Sequence, residues 1–409
     1  MSEKYTDELE VAFTPLNVCE EASRCLLCHD APCSADCPAG TDPGRFIRAV
    51  RFRNFKGAAE VVRENNALGA ICARVCPTER YCQKGCSRSG IDVPIDIGRI
   101  QRFITDFEEA TKMEILKKGR SNGKKVAIVG SGPGALQAAA SLSRLGYEVD
   151  VYEKESKCGG YMRYGIPEYR LPSHIVDKEI EHIVKLGVHL HTSTEVGKDI
   201  TIEELKSSHD AIVIAVGANR GKMLPMFKGN PHVEIAVDFL KRVRDAKGKV
   251  DMPQNVLVIG GGDVAMDVDV TLKMLGVKNI SDVVYEEFCE FRASKKELRD
   301  AQKLGVSIID GYVPIAVDGK SVTFKHRVIP GEIKITADKI ILAVGQYPDV
   351  EGLGDIKIVA GESNVPGYGT NDPKVFVAGD IAHLDKTVVA AVRTGKDVAY
   401  FIHSKIGGR

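Results

Sequence analysis

Val126-Ala-Ile-Val-Gly130-Ser-Gly132-Pro-Gly134-Ala135 reads as four apolar residues, a glycine-punctuated turn and the opening of a helix. A dinucleotide-binding βα turn needs that layout. Gly130 permits the tight turn, Gly132 lets backbone N–H groups reach a pyrophosphate, Gly134 completes the fingerprint, and Ala135 lets helix and strand pack closely. The helix N-terminus adds partial positive charge for the phosphates. The next strand, Glu148-Val-Asp-Val-Tyr152, ends at Glu153, an acid placed to accept both hydroxyls of an adenosine ribose. A lone glycine fingerprint also occurs in ordinary turns. A strand before it, a helix after it and an acid at the right distance make this one a nucleotide site.

The pattern recurs at Val256-Leu-Val-Ile-Gly260-Gly-Gly262-Asp-Val-Ala265-Met-Asp267, followed by the strand Ser281-Asp-Val-Val-Tyr285 and by Glu286-Glu287. Gly260, Gly261, Gly262, Asp263 and Ala265 are the candidate contacts of this second turn. Two such turns, each with its own strand and helix, imply two dinucleotides. Carboxylates at the second acid position, Glu286 and Glu287, favour NAD, because the 2′-phosphate of NADP would meet like charge; Arg292 nearby is the contrary sign. At the C-terminal end Val375-Phe-Val-Ala-Gly379-Asp380 precedes a helix expected over Thr387 to Ser404. In two-dinucleotide flavoproteins the Asp of such a motif bonds the ribityl chain, which gives the first turn to FAD. Ala215-Val-Gly217 and Ala343-Val-Gly345 are strand-end turns where the chain crosses between the two dinucleotide domains.

The cysteines are very unevenly placed: nine of 11 lie between Cys19 and Cys86. They read Cys25-x2-Cys28-x4-Cys33-x3-Cys37-Pro, then Cys72-x3-Cys76-Pro-x4-Cys82-x3-Cys86. In a reducing compartment such density points to metal rather than disulfides. Close pairs also suit zinc, but zinc has no redox role, whereas a flavin beside this domain needs a one-electron outlet. Iron–sulfur cubanes supply one. Simple grouping assigns four cysteines to each cluster. In bacterial two-cluster ferredoxins, however, the cysteine before proline serves the other cluster; if Cys37 crosses over, one set has a ligand too many and the other lacks its fourth. Cys158 and Cys289 are single and distant, so no dithiol relay is expected, and both read as small core residues.

The fold class expected is α/β: two Rossmann-like dinucleotide-binding domains, for FAD and NAD(P), preceded by an α-helical iron–sulfur domain. The boundaries are 1–120 for the helical domain, with helical stretches at Pro43 to Asn65 and Ile97 to Leu116, then 121–235 with 346–409 for FAD, and 236–345 for NAD(H). Lys117 to Lys125 reads as the linker. Lysine plus arginine (56) equals aspartate plus glutamate (56), which gives no electrostatic case for nucleic acid or an anionic membrane surface. The acidic, polar start is unlike a secretory signal, and no apolar run approaches the roughly 20 residues that span a bilayer. A soluble, cytoplasmic protein is the expectation.

The cysteine array, Pro77-Thr-Glu, Ile97-Gly-Arg-Ile-Gln101, Gly159-Gly160-Tyr-Met-Arg-Tyr-Gly-Ile-Pro167 and Gly260-Gly-Gly-Asp-Val-Ala-Met-Asp267 together resemble the glutamate synthase small-subunit family. That family includes the N-terminal half of dihydropyrimidine dehydrogenase. Within it, Ala73-Arg-Val-Cys-Pro-Thr-Glu79, Ile95-Asp-Ile-Gly-Arg-Ile-Gln-Arg-Phe103 and Lys339-Ile-Ile-Leu-Ala-Val-Gly-Gln346 look most like the PreT-type subunits of the bacterial NAD-dependent enzyme. The resemblance covers essentially the whole chain and implies two [4Fe-4S] clusters. Cys25, Cys28, Cys33 and Gln101 would hold one, Cys37, Cys76, Cys82 and Cys86 the other, with Cys72 a bystander. It adds Gly160 to the FAD site. It also implies that NADH reduces the FAD, and that electrons pass through the clusters to a PreA-type FMN and iron–sulfur partner in a heterotetramer. There uracil or thymine is reduced. Alternatives left open are a glutamate synthase large subunit or another acceptor as partner, and a non-catalytic assembly or sensor protein.

Overall fold

The computed structural model describes residues 5–354, 368–382 and 385–407. Residues 1–4, 355–367, 383–384 and 408–409, which include parts of the expected 1–120 and 346–409 segments, lie outside the described residues. The chain divides into two compact units. One takes residues 10–163, 173–217 and the described stretch after 347; the other takes residues 5–9, 164–172 and 218–347.

The first unit opens with short helices fixed by their caps. Asp42 accepts from Arg45 N at 3.1 Å to start Pro43–Arg51, and Pro43 at the first position gives up no bond. The stretch expected to be helical from Pro43 to Asn65 breaks at Arg53, which takes φ +59°, and restarts at Phe55–Asn65 with Asn54 as cap. The helix at Ile97 ends at Ala110, short of the expected Leu116. Thr111 Oγ1 bonds back to Phe107 O at 2.6 Å and Lys112 adopts φ +53°. Phe46, Ile47, Val50, Val62, Ile100 and Ile104 form the apolar core of this region.

A charged seam joins these helices to the sheet that follows. Arg63, 1% exposed, donates to Glu108 at 2.9 Å, to Glu179 at 2.6 Å and to Ala67 O at 2.7 Å. Buried guanidinium is tolerated because all its donors are used. The sheet is parallel, in the order Val375–Val377, Ala211–Ile214, Lys125–Val129, Glu148–Tyr152, Val188–His191. Its central strands are buried on both faces, which is why they read as unbroken apolar runs.

The second unit repeats that plan: Val233–Ile235, Lys339–Leu342, Asn255–Ile259, Asn279–Val283, Ser307–Ile309, again all parallel. Val233–Ile235 pairs with Lys339–Leu342, so the strand just before the expected 235/236 boundary belongs to this sheet, and the unit's main stretch begins at Ala218. A three-stranded antiparallel sheet, Tyr312–Asp318, Ser321–His326 and Glu332–Thr336, is inserted before Lys339.

One core feature here is chemically unusual. Asp269 on the helix Asp263–Met274 and Asp282 on Asn279–Val283 are both fully buried. No side-chain donor meets their four oxygens among the described residues; the backbone N–H of Gly260 bears on Asp282 and holds it down a little. Burial lifts both carboxyls well above the ordinary range, and the charge of Asp269 lifts Asp282 further. The two interact directly, so one shared proton makes the bond that two carboxylates cannot.

Among the described residues no helix is long and apolar enough to cross a membrane.

Candidate functional site

At the first turn Gly130 takes φ +97°, and a Cβ there would lie 2.6 Å from Ala215 O, so only glycine fits against the crossing strand. Gly132 caps the helix Pro133–Arg144 and faces open space, leaving the helix N-terminus free to meet a phosphate. Ala135 is fully buried beneath it. Two other segments close on this turn. A Cβ on Gly160, itself at φ +51°, would meet Gly132 Cα at 2.8 Å, and one on Gly134 would meet Gly379 N at 2.8 Å. Gly130, Gly132, Gly134, Gly160 and Gly379 thus form one cradle in which backbone, not side chain, lines the space.

Glu153 lies at the cradle's edge, 6% exposed, receiving Ser131 Oγ at 2.5 Å and Glu155 N at 2.9 Å. Ser131 Oγ in turn accepts from Gly159 N at 3.0 Å. Sequence reasoning missed Ser131, the residue that ties the acid to both glycine loops; its place inside the fingerprint was the available signal. Burial pushes the Asp380 carboxyl up to about 6, with Lys386 pulling it down and Asp385 pushing it up. The N–H of Gly379 is held by Thr394 Oγ1 at 2.8 Å, which aims the turn.

The second turn is built alike. Gly260 lies against Ala343 O, 2.4 Å from a notional Cβ, while Gly262 caps Asp263–Met274 with open space before it. Ala265 is fully buried. Asp263 accepts from Ser294 N at 2.6 Å, so its carboxylate fastens the following loop. The two acids separate. Glu286 turns inward, its Oε2 3.1 Å from a notional Cβ on Gly261, and ion-pairs with Arg292 at 3.0 Å. Glu287 caps its own 3-10 turn, Phe288–Glu290. Arg292 is thereby drawn to a carboxylate, its side chain 82% exposed.

The thiols fall into two sets. Cys25, Cys28, Cys33 and Cys86 line one cavity with Pro32, Ile47, Ile95 and Ile97. Burial raises Cys25, and Cys86 and Cys28 raise it further; burial and Cys86 push Cys33 up to about 11. In the other set, burial lifts Cys76 well above the ordinary thiol range, with Cys72, Cys82 and Cys37 adding to it. Cys82 is raised by burial and then by Cys37, and Cys33 of the first set raises it further. Gln101 sits against the helix Gly69–Val75, the helix that carries Cys72 into Cys76, and donates to Gly69 O at 2.8 Å. The structure brings Cys86 to the cavity of Cys25, Cys28 and Cys33, and it sets Gln101 against the helix that leads into Cys76, a grouping different from the one the resemblance implies. Buried thiols that raise one another's pKa fit a multivalent cationic centre, which returns them to thiolates.

Two unforeseen contacts tie the second thiol set to the flavin-end segment. Tyr81 OH bonds the carboxylate of Asp385, and Lys396 Nζ, on the helix Val388–Ile406, bonds Ala39 O in the loop after Cys37. Cys158 is buried as expected; Cys289 is exposed, on the 3-10 turn, and is not a core residue.

Residues 2–113 match the family model described as dihydropyrimidine dehydrogenase domain II, 4Fe-4S cluster, and residues 124–395 match pyridine nucleotide-disulphide oxidoreductase. The chain is 55% identical to the NAD-dependent dihydropyrimidine dehydrogenase subunit PreT of Escherichia coli O157:H7, over 99% of this chain and 98% of that one. It is 27% identical to the glutamate synthase [NADPH] small chain of Escherichia coli, covering 93% and 89%. Among solved structures, Mycobacterium tuberculosis FprA in complex with NADPH aligns with a TM-score of 0.59 at 20% identity, over 69% of this chain and 84% of that one. Thioredoxin reductase of T. acidophilum aligns at 0.55 and 20%, over 70% and 100%. These two share the fold.

Proposed function

The chain belongs to the family of PreT subunits of NAD-dependent dihydropyrimidine dehydrogenase, and on that premise we propose that it is the NADH-oxidising half of an enzyme completed by a PreA-type FMN and iron–sulfur subunit in a heterotetramer, which reduces uracil or thymine to the 5,6-dihydro product. It is an oxidoreductase with a 4Fe-4S domain and an FAD- and NAD-type dinucleotide-binding half. FAD, when bound, would supply two-electron acceptance of a hydride and the clusters one-electron acceptance, a conversion that no amino-acid side chain performs.

The chain's own residues supply place and charge. Gly132 and the N-terminus of Pro133–Arg144 leave N–H groups for the FAD pyrophosphate, Glu153 accepts from the adenosine ribose, and Asp380 meets the ribityl chain. At the second turn Gly262 would do the same for NADH, and the carboxylate of Glu286, beside Gly261, would repel a 2′-phosphate. We assign Cys25, Cys28, Cys33 and Cys86 to one [4Fe-4S] cluster, and Cys37, Cys76, Cys82 with Gln101 as fourth donor to the other. The Gly69 bond to the Gln101 amide nitrogen leaves its oxygen for iron.

The observation that carries this reading is the pair of bonds from the flavin-end segment to the thiol loops, Tyr81 to Asp385 and Lys396 to Ala39. They fasten the segment that carries Asp380 to the loops that carry Cys37 and Cys82, the two sites between which electrons would have to pass. The test is anaerobic: cofactor-loaded protein is mixed with a PreA-type partner, NADH and uracil. NADH oxidation that requires both partner and uracil is expected. NADH oxidation supported instead by a glutamate synthase large subunit with glutamine and 2-oxoglutarate would assign the chain to that other partner. A flavin spectrum unmoved by NADH would end the enzyme reading.

A further inference from the structure

One cluster of ligating side chains lies outside the chemistry above. On the strand Glu148–Tyr152 the residues Glu148, Asp150 and Tyr152 share the outward face, alternating with buried Val149 and Val151. The neighbouring edge strand Val188–His191 sends out His189 and His191, in register opposite Asp150 and Tyr152. His209, packed 6.4 Å from the Tyr152 ring, completes the group.

Three of the chain's 10 histidines converge on one carboxylate. His191 Nε2 is 2.7 Å from Asp150 Oδ1, His189 Nδ1 is 3.5 Å from the same oxygen, and His209 Nε2 is 3.4 Å from Oδ2. One ligand atom each of Glu148, Asp150 and His189 lie within 4.8 Å of one another. Donors on a tetrahedral zinc, about 2.0–2.2 Å away, stand about 3.4 Å apart, so Glu148, Asp150 and His189 need only small side-chain rotations, while the His191 ring, now bonded to Asp150, must turn toward the ion to join them. The backbone needs no change, since two histidines at alternate positions of one strand already point the same way. Lys125 pairs with Glu148 and is the competing cation.

We propose that this face binds one divalent transition-metal ion of the zinc, nickel or copper class, ligated by His189, His191, Asp150 and Glu148, with His209 orienting Asp150. Mixed imidazole and carboxylate donors select those ions over magnesium or calcium. The ion clips the edge strand Val188–His191, which has one neighbour in the sheet, to the strand that ends at Glu153. It thereby steadies the wall of the first turn.

The test uses cluster- and flavin-loaded protein, dialysed anaerobically against micromolar ZnCl2 and analysed for zinc and iron together. One zinc per chain is expected, with a melting temperature that rises with free zinc. In His189→Ala/His191→Ala the zinc affinity should fall at least tenfold and the thermal response vanish, with iron and flavin content unchanged. Asp150→Asn, which keeps all three imidazoles, should weaken binding as well. Zinc that binds equally to the double variant is zinc on cysteine thiols and overturns the proposal, as does wild-type protein that takes up none.

Discussion

Replacing Asp269 with asparagine should make the protein more stable at neutral and alkaline pH. The wild-type pair is two fully buried carboxyls that meet no side-chain donor among the described residues, with only the backbone N–H of Gly260 bearing on Asp282, so one of them must keep a proton. Holding a proton on a group whose unfolded pKa is about 3.9 costs about 1.4 kcal/mol per pH unit above that value, hence up to about 4 kcal/mol at pH 7. Burial raises both carboxyls in the folded state. The folded chain therefore binds more protons than the unfolded one, and the pair's contribution is complete below about pH 4 and drains away as pH climbs toward the raised value. The asparagine of the variant would need no proton: its amide donates to Asp282 at any pH. Variant minus wild type should thus be near zero at the acid end and grow by about 1.4 kcal/mol per pH unit until the wild-type pair ionises. Hydrogen exchange of the amides of Asp263–Met274, corrected for intrinsic rates between about pH 5.5 and 9, reads this as a local opening free energy. A variant curve parallel to wild type, or one lying below it at pH 8, would show that the shared proton is not there.

The thiol sets predict that Cys33→Ser together with Cys86→Ser loses about four irons, one cluster's worth, as either change alone does; loss of both clusters would restore the crossed pairing. Cys72→Ser should leave the iron content intact. Glu286→Arg, by replacing repulsion with attraction for a 2′-phosphate, should move the NADPH to NADH ratio of kcat/KM by roughly tenfold or more, and an unmoved ratio would assign discrimination elsewhere. Arg63→Met leaves Glu108 and Glu179 buried without their counter-charge and should destabilise the protein by about 3–5 kcal/mol in urea titration. Gly160→Ala drives a methyl into Gly132 from a left-handed backbone, so flavin per chain should fall; full FAD occupancy would mean that the two loops can part at little cost.

The glycine turns, their strands and the α/β class were legible because each rests on local physics. Positive φ at Gly130 and Gly260 excludes a side chain, and strands buried on both faces have no polar alternation to blur them. What was illegible needed a third dimension. Spacing orders thiols along a line, and no spacing says that Cys86 folds back to Cys33. Glu286 and Glu287 are neighbours whose side chains necessarily diverge, and only the backbone decides which one faces Gly261. Arg53 in the left-handed region, where a non-glycine residue is strained, splits the stretch from Pro43 to Asn65 that reads as one helix. The bridges Tyr81 to Asp385 and Lys396 to Ala39 join segments far apart in the chain and left no motif.

The position of Val375–Val377 at the edge of the first sheet, with Gly379 against Gly134, has a consequence for how the protein is made. A chain leaves the ribosome N-terminus first, at roughly 5–20 residues per second, so Cys25 through Gln101 emerge about 15 to 60 s before Asp380 does. Every sulfur donor is thus available to the assembly machinery while the flavin cradle still lacks its last wall. The growing chain presents its two kinds of cofactor site in sequence, cubane ligands early and flavin late, with the entire nicotinamide half synthesised in the interval.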